Sequence, residues 1–135
     1  MKATIYLDTN IFVYAAINND LLGEKCRKIL SDISENKIAA YTSSLTWDEV
    51  VYAIWKKEGK EKAIEEGKLF LQLPNISFFN VTAIIISKAQ ELIENYSIKP
   101  RDAIHIATAI VNDINQIASD DPDFDKIKEL KRIKI

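Results

Sequence analysis

Four acidic side chains stand where the chain is expected to change from one element to the next. Asp8 directly follows the apolar run Ile5–Leu7, which is typical of a buried strand. Glu49, Asp102 and Asp121 each lie near a predicted helix start or strand end. An unpaired buried charge is costly, so an acid that ends a buried strand needs a partner. That partner can be the free amides of a helix start or a bound cation.

Helix capping is the simpler role for Asp8 and for Asp102 when each is taken alone. The Asp-Thr-Asn turn at residues 8–10 consists of good N-cap residues. Asp102 stands in the first turn of a predicted helix, where the helix dipole favours an anion. Thr46 and Glu49 have the spacing of a capping box, in which the carboxylate turns back to the threonine amide. The alternative is that Glu49 points into the same pocket as Asp8, and this segment alone does not decide between the two.

The segment from Ser119 to Asp125 carries four acids within six residues. Such a cluster at a strand end suggests a metal site, although Asp-Pro is also typical of a turn. An EF-hand loop is excluded because no glycine stands at its sixth position. Asp120 and Asp121 are adjacent, and successive residues of an extended chain face opposite sides. Only one of the two should therefore face a cleft.

The helix that carries Asp102 is nearly all apolar or small from Ala103 to Val111. This composition predicts a helix that is buried on most sides. His105 lies three residues after Asp102, on the same side of the helix. For a single histidine in an apolar helix, we expect a hydrogen-bonded core position, with a ligand role as the alternative.

The elements that would position these acids alternate between strand and helix. Runs of β-type residues predict strands at 3–8, 38–42, 76–81, 114–119 and 132–135. Helical spacing and N-cap residues predict helices at 10–18, 22–33, from Thr46, within 56–73, at 83–96 and at 99–111. This alternation is typical of an α/β fold with a mostly parallel sheet.

A parallel sheet would bring the four acids to one edge, because all its strands end there and the following helices begin there. Two carboxylates about 4 Å apart repel by roughly 4 kcal/mol at an effective dielectric near 20. A divalent cation removes this repulsion, and oxygen donors without paired thiolates favour Mg²⁺ or Mn²⁺. The chemistry that such a site supports is metal-assisted hydrolysis of a phosphodiester.

Composition limits the remaining classes of protein. With 135 residues, 47% of them hydrophobic, residues 1–135 are expected to form a single domain. No apolar run reaches about 18 residues and no secretory signal is apparent, so we expect no membrane contact. Cys26 is the single cysteine and cannot form an internal disulfide, which favours a reducing cytoplasm. The net charge of −2 argues against a broad, sequence-independent grip on nucleic acid.

Four segments in this order resemble the PIN-domain nucleases, and among them the VapC-like toxins of toxin–antitoxin pairs. They are Leu7-Asp8-Thr9-Asn10, Thr46-Trp47-Asp48-Glu49-Val50, Arg101-Asp102-Ala103-Ile104-His105-Ile106-Ala107 and Ser119-Asp120-Asp121-Pro122-Asp123-Phe124. The resemblance spans essentially the whole chain. It implies an α/β/α sandwich with a central, mostly parallel sheet of four to five strands flanked by helices.

The resemblance also implies a site, a cofactor and partners. An acidic quartet would hold Mg²⁺ or Mn²⁺ and activate water for RNA cleavage. Its members are Asp8, Glu49, Asp102 and Asp121. Hydrogen bonds would support the pocket from Thr9, Asn10 and Ser119. Asp121 keeps the family's usual distance to Phe124, and Asp120 is the alternative acid. Similar proteins are usually homodimers, and many bind a cognate antitoxin that blocks the pocket.

Other assignments stay open. The chain could be an RNA-processing nuclease of the same fold without an antitoxin, or a non-catalytic binding module. A phosphatase with Asp8 as nucleophile is disfavoured, because haloacid-dehalogenase-like enzymes carry Asp-x-Asp-x-Thr and the second Asp is absent here. A dimer or antitoxin surface could be formed by three aromatic residues, Trp47, Tyr52 and Trp55. The simpler expectation is that at least half of them pack in the core.

Overall fold

A computed structural model describes residues 2–135, and all of their strands join one parallel sheet. The strands are β1 (Ala3–Leu7), β2 (Ile38–Ser43), β3 (Ile76–Phe79), β4 (Gln116–Ala118) and β5 (Lys131–Ile133). Their order across the sheet is β3-β2-β1-β4-β5, and each neighbouring pair runs parallel. The predicted α/β fold with a parallel sheet of four to five strands is confirmed.

Helices connect these strands throughout residues 2–135. They are α1 (Thr9–Ile17), α2 (Leu21–Ser34), α3 (Ser44–Glu58), α4 (Lys60–Leu71), α5 (Ala83–Asn95) and α6 (Pro100–Val111), followed by a short 3₁₀ helix at Pro122–Lys126. Gly59 separates α3 from α4 with a φ of 90°, a left-handed conformation that glycine adopts without strain. Thr82 caps α5 as the sequence predicts, since its hydroxyl accepts a hydrogen bond from the Ile85 amide.

The sheet is buried on both faces, and β1 shows this most directly. Its side chains alternate between two separate cores, because successive residues of a strand face opposite sides. Tyr6 packs with α5 and α6, whereas Ile5 and Leu7 pack with α1, α2, α3 and α4. Tyr6 and Leu7 have no exposed surface, and burying a side chain of this size contributes about 1.5–3 kcal/mol. This layering is the expected α/β/α sandwich.

The chain reverses its direction of travel across the sheet between β3 and β4. It runs outward from β1 through β2 to β3, and then returns to place β4 on the other side of β1. In open parallel sheets, ligands bind at such a switch point, beyond the carboxyl ends of the strands. The edge beyond β1 and β4 is therefore the place where a site is expected.

Some predictions about local structure are wrong. β4 begins at Gln116 rather than at residue 114, because the Ile114 amide bonds back to the Ala109 carbonyl and completes the end of α6. The expected burial of at least half of the α3 aromatic residues is also wrong. The exposed fraction is 43% for Trp47, 57% for Tyr52 and 48% for Trp55. The inner face of α3 is instead occupied by residues four apart, Thr46, Val50 and Ile54. Within residues 2–135, every helix is too short or too polar to span a lipid bilayer.

Candidate active site

Asp8 and Ser119 meet where two parallel strands end side by side. Leu7 ends β1, Ala118 ends β4, and these two residues are paired in the sheet. The next residue of each strand is therefore brought to the same edge. The Ser119 hydroxyl donates a hydrogen bond to Asp8 Oδ2 at 2.7 Å, and the Asp8 amide donates to the Ala118 carbonyl at 3.1 Å.

Asp8 caps α1 and also contributes its charge to the site. Its Oδ1 accepts a hydrogen bond from the Thr9 amide at 2.8 Å, and the residue is only 7% exposed. Burial raises the pKa of Asp8, although His105 and the hydrogen bond from Ser119 oppose that rise. The capping role and a role in a site are therefore compatible at this position.

The capping-box interpretation of Glu49 is wrong. α3 begins at Ser44, so the third helical position is Thr46 and not Glu49. The Thr46 hydroxyl instead shares a hydrogen bond of 2.7 Å with the hydroxyl of Thr42. Glu49 lies more than a turn into the helix, where its Oε1 accepts a hydrogen bond from the Thr9 hydroxyl at 2.9 Å.

His105 is the second partner of Glu49. Its Nε2 contacts Glu49 Oε1, and its Nδ1 lies 2.6 Å from the hydroxyl of Tyr6. Burial opposes ionisation of Glu49, but the hydrogen bonds from His105 and Thr9 outweigh it and lower the Glu49 pKa. Burial alone would lower the pKa of His105, yet Tyr6, Glu49 and Asp8 together raise it to about 10. His105 therefore occupies a hydrogen-bonded position in the core, as the sequence predicts.

A pocket of about 550 Å³ opens at the carboxyl edge of the sheet. Its walls carry acids and bases together: Glu49, Lys99, Pro100, Arg101, Asp102 and Asp121. Asp102 stands in the first turn of α6, as the sequence predicts. Burial, followed by the charges of Asp8 and Asp121, raises the pKa of Asp102 to about 6. Burial and the neighbouring acids therefore both disfavour the charged form of Asp102.

Of the two adjacent acids after β4, Asp121 lines the pocket and Asp120 does not. The Asp121 amide donates to the Ser119 hydroxyl at 3.0 Å, and its Oδ1 accepts from the Asp123 amide at 2.9 Å. Asp120 is exposed, and its charge contributes to the raised pKa of Cys26 on α2. The two side chains therefore serve different surroundings, as expected for successive residues of an extended segment.

The three predicted supporting residues all take part in hydrogen bonds at this edge. Thr9 donates to Glu49, and Ser119 connects Asp8 to the Asp121 amide. Asn10 makes the weakest contact, from its Nδ2 to the Ser119 hydroxyl at 3.4 Å. Within residues 2–135, its buried Oδ1 has no hydrogen-bond partner.

Two features of this site are not predicted from the sequence. Asp123 approaches Asp102 and Asp121, and one carboxylate oxygen of each lies within 4.8 Å of the others. The sequence suggests a metal site or a polar turn for this acidic segment, but it assigns no separate role to Asp123, which the 3₁₀ helix brings back. The sequence also does not predict the contact of Tyr6 with His105, because Tyr6 has the pattern of an ordinary buried strand residue. The placement of His105 three residues after Asp102 was the only available signal.

These residues fit a hard divalent cation. Ligands at about 2.1 Å from Mg²⁺ lie roughly 3 to 4 Å from one another. One carboxylate oxygen each of Asp102, Asp121 and Asp123 lies within 4.8 Å of the others, which is close to that spacing. All of the donors are oxygens, which Mg²⁺ and Mn²⁺ prefer. The pKa of Asp102 is raised first by burial and then by the charges of Asp8 and Asp121, so a cation at this point would stabilise its charged form.

Comparison with known proteins bears on the whole chain. The family described as PIN domain matches residues 5–130. Ribonuclease VapC2 of Methanocaldococcus jannaschii is 24% identical over 144 aligned residues, which cover 97% of this chain and 93% of that protein.

Solved structures share the fold at low sequence identity. VapC20 of Mycobacterium tuberculosis, a toxin that cleaves the sarcin–ricin loop, superposes with a TM-score of 0.75 at 17% identity, covering 90% of this chain and 93% of that one. VapBC2 from Rickettsia felis, bound to a fragment of promoter DNA, gives a TM-score of 0.75 at 20% identity, covering 97% and 98%. Likeness at this level of identity establishes the arrangement of the strands and helices.

Proposed function

The chain belongs to the PIN-domain family, and we propose that it is a ribonuclease that depends on Mg²⁺ or Mn²⁺ and hydrolyses RNA phosphodiester bonds. The single observation that carries this proposal is the pocket lined by Glu49, Asp102 and Asp121, with Asp8 buried beside it. Ribonuclease VapC2, which is similar over nearly its full length, supports the choice of RNA as substrate. We further propose that residues 1–135 form a single domain, because β4 and β5 complete the sheet that β1 begins.

The residues that we propose to hold the cation are the predicted quartet, Asp8, Glu49, Asp102 and Asp121. Asp123 would add a fifth carboxylate from the following 3₁₀ helix. When bound, such a cation neutralises these charges, lowers the pKa of a coordinated water and polarises the phosphate. The predicted alternative acid, Asp120, is not part of this proposal because it is exposed and does not line the pocket.

The chain's own residues would orient the acids and receive the substrate. Ser119 and the Thr9 amide fix the two oxygens of Asp8. Lys99 and Arg101 line the acidic pocket, and no ion pair within residues 2–135 engages either of them. They supply positive charge where an RNA phosphate would approach. This local pair meets the need for phosphate contacts in a chain whose net charge is −2.

We also propose that the protein is the toxin of a type II toxin–antitoxin pair and that it acts in the cytoplasm, where its RNA substrate is found. A chain of the VapBC2 structure shares this fold, and this likeness supports a cognate antitoxin as partner. Homodimer formation is part of the same proposal. The exposed aromatics of α3, namely Trp47, Tyr52 and Trp55, offer a surface for the second copy or for the antitoxin.

The proposal is tested by RNA cleavage with purified Asp8→Asn. We expect the wild-type protein to cleave RNA with Mg²⁺ or Mn²⁺ and to stop when EDTA is added. We expect Asp8→Asn to lose about 100-fold or more of this activity, since it removes a charge from the cation site. Asp48→Asn is the matched control, because it removes the same charge from an exposed position of α3.

Contaminating nuclease is excluded by purifying all variants in parallel and by comparing two unrelated column procedures. Undiminished cleavage by Asp8→Asn would refute the assignment of the site. Absence of both Mn²⁺ binding and cleavage in the wild-type protein would favour the non-catalytic binding module. If the protein cleaves RNA but no antitoxin gene lies beside its own gene, an RNA-processing nuclease without an antitoxin would be favoured.

A further inference from the structure

Both ring nitrogens of His105 are engaged inside the protein, although the residue lies next to the pocket. His105 and Tyr6 have no exposed surface. Nδ1 of His105 lies 2.6 Å from the Tyr6 hydroxyl, and Nε2 contacts Glu49 Oε1. The rings of Tyr6 and His105 also pack edge to face, with centroids 5.6 Å apart. The imidazole is thus fixed from β1 on one side and contacts α3 on the other.

The direction of the hydrogen bond to Glu49 follows from the donors available. An ionised carboxylate only accepts hydrogen bonds, so Nε2 must carry the hydrogen that joins it to Glu49. In the neutral ring, Nδ1 then accepts from the Tyr6 hydroxyl. In the charged ring, Nδ1 donates to that hydroxyl instead. Nε2 donates to Glu49 in either state, so this contact does not depend on the charge of the ring.

Only one oxygen of Glu49 is used in these contacts. The Thr9 hydroxyl donates to Oε1 at 2.9 Å, and His105 donates to the same atom. No hydrogen bond within residues 2–135 engages Oε2, although Glu49 lines the acidic pocket. Two donors that hold one oxygen in place leave the second free for a ligand in the pocket.

We propose that His105 is a positioning residue, which holds Glu49 Oε1 so that Oε2 is presented to a divalent cation in the acidic pocket. This inference rests on the proposed function, since it assumes that Glu49 is a ligand. Tyr6 completes the arrangement by fixing the imidazole from the opposite side. Losing a group that orients a metal ligand typically costs about 10–100-fold in metal affinity or activity.

Two amide substitutions separate positioning from mere burial. His105→Gln places its amide nitrogen near the position of Nε2, where it can still donate to Glu49. His105→Asn places the amide near Nδ1, where it reaches toward Tyr6 and not toward Glu49. We expect His105→Asn to weaken Mn²⁺ binding by about 10–100-fold in titration calorimetry, and His105→Gln to retain most of the affinity.

Thr108→Val is the matched control on the same helix. Thr108 is equally buried, but its hydroxyl donates to the Ile104 carbonyl at 2.6 Å within α6 and lies outside the network around Glu49. We expect it to lower thermal stability in EDTA while leaving Mn²⁺ affinity unchanged. In RNA cleavage, we expect Asn at position 105 to reduce kcat with little change in KM.

A measurement on the wild-type protein covers the case in which the variants do not fold. The chain contains one histidine, so ¹⁵N-histidine labelling gives the signals of a single ring. We expect the Nε2 resonance to shift as Mg²⁺ is added, because the cation withdraws charge from Glu49, and to saturate with the Kd that a parallel calorimetric titration with Mg²⁺ gives. A resonance that does not respond to saturating Mg²⁺ overturns the inference.

The other outcomes are equally decisive. Wild-type affinity in His105→Asn, or a loss in His105→Gln as large as in Asn, would overturn the positioning role. If the wild-type protein binds Mn²⁺ and cleaves RNA in those experiments, the proposed function survives and only this inference fails. A wild-type protein that binds no Mn²⁺ removes both.

Discussion

Replacing Asp102 by asparagine is expected to have opposite effects on stability with and without a cation. In EDTA the variant should be more stable than the wild type, because one of several crowded negative charges is removed. In saturating Mn²⁺ the order should reverse, because the variant has lost a ligand of the cation. This reversal separates a cation site from a cluster of acids that merely face water.

The structure sets the size of both effects. Carboxylate oxygens of Asp102 and Asp121 lie within 4.8 Å, a distance at which two charges repel by about 3.5 kcal/mol at an effective dielectric near 20. Asp102 is only partly buried, so we reduce this repulsion to about 1–2 kcal/mol. Asparagine also loses the favourable interaction of an anion with the start of α6, which offsets about 0.5 kcal/mol. The expected net gain in EDTA is about 1 kcal/mol.

The assay is thermal unfolding at pH 7.5, followed by circular dichroism. A gain of about 1 kcal/mol raises the Tm by roughly 3–5 °C for a domain of this size. Mn²⁺ at about 100 times its Kd should stabilise the wild type by about 2.7 kcal/mol and leave Asp102→Asn nearly unchanged. Asp48→Asn, an exposed charge on α3, should show neither effect. Equal stabilisation of wild type and Asp102→Asn by Mn²⁺ would refute this reasoning, as would a lower Tm for Asp102→Asn in EDTA.

Three further predictions concern pH, substrate and the loop that carries Asp121. Because the pKa of Asp102 is raised to about 6, Mn²⁺ affinity measured by calorimetry should rise between pH 5 and pH 7 and then level off. In EDTA, the free energy of unfolding should fall from about pH 4 to pH 6, because the native state binds more protons there than the unfolded chain. The double substitution Lys99→Ala and Arg101→Ala should raise the KM for RNA about tenfold and weaken the salt dependence of KM, with kcat unchanged. An unchanged KM would exclude these two side chains from substrate binding. The Arg132 guanidinium donates to the Ser119 carbonyl at 3.1 Å, so Arg132→Ala should speed amide hydrogen exchange in the segment after β4 and weaken Mn²⁺ binding, and unaltered exchange would show that the segment needs no such support.

The order of the elements could be predicted because it depends on local pattern. The apolar run Ile5–Leu7 predicts a buried strand, and its alternation between two cores explains why every residue in it is apolar. The helix ends were harder, because they depend on tertiary contacts. Glu49 fits a capping box by spacing, but α3 begins earlier than the spacing implies and Glu49 is held by His105 instead.

The site was predictable only in outline. Asp8, Asp102 and Asp121 follow strand ends or start helices, so a parallel sheet brings them to one edge. Asp123 could not be predicted, because its approach depends on a 3₁₀ helix whose direction is set by contacts that the sequence does not display. The exposure of Trp55 was unpredictable for a related reason. Aromatic content indicates burial on average but does not specify which face of a helix meets the sheet.

The most direct test of the central claim is the anomalous scattering of Mn²⁺ in crystals of the wild-type protein. Data collected near the manganese absorption edge locate the ion without any assumption about its ligands. We predict an anomalous peak between the carboxylates of Asp102 and Asp121, absent in crystals of Asp102→Asn grown and soaked in the same way. An empty pocket at Mn²⁺ concentrations that support RNA cleavage, or a peak elsewhere on the protein, would contradict it.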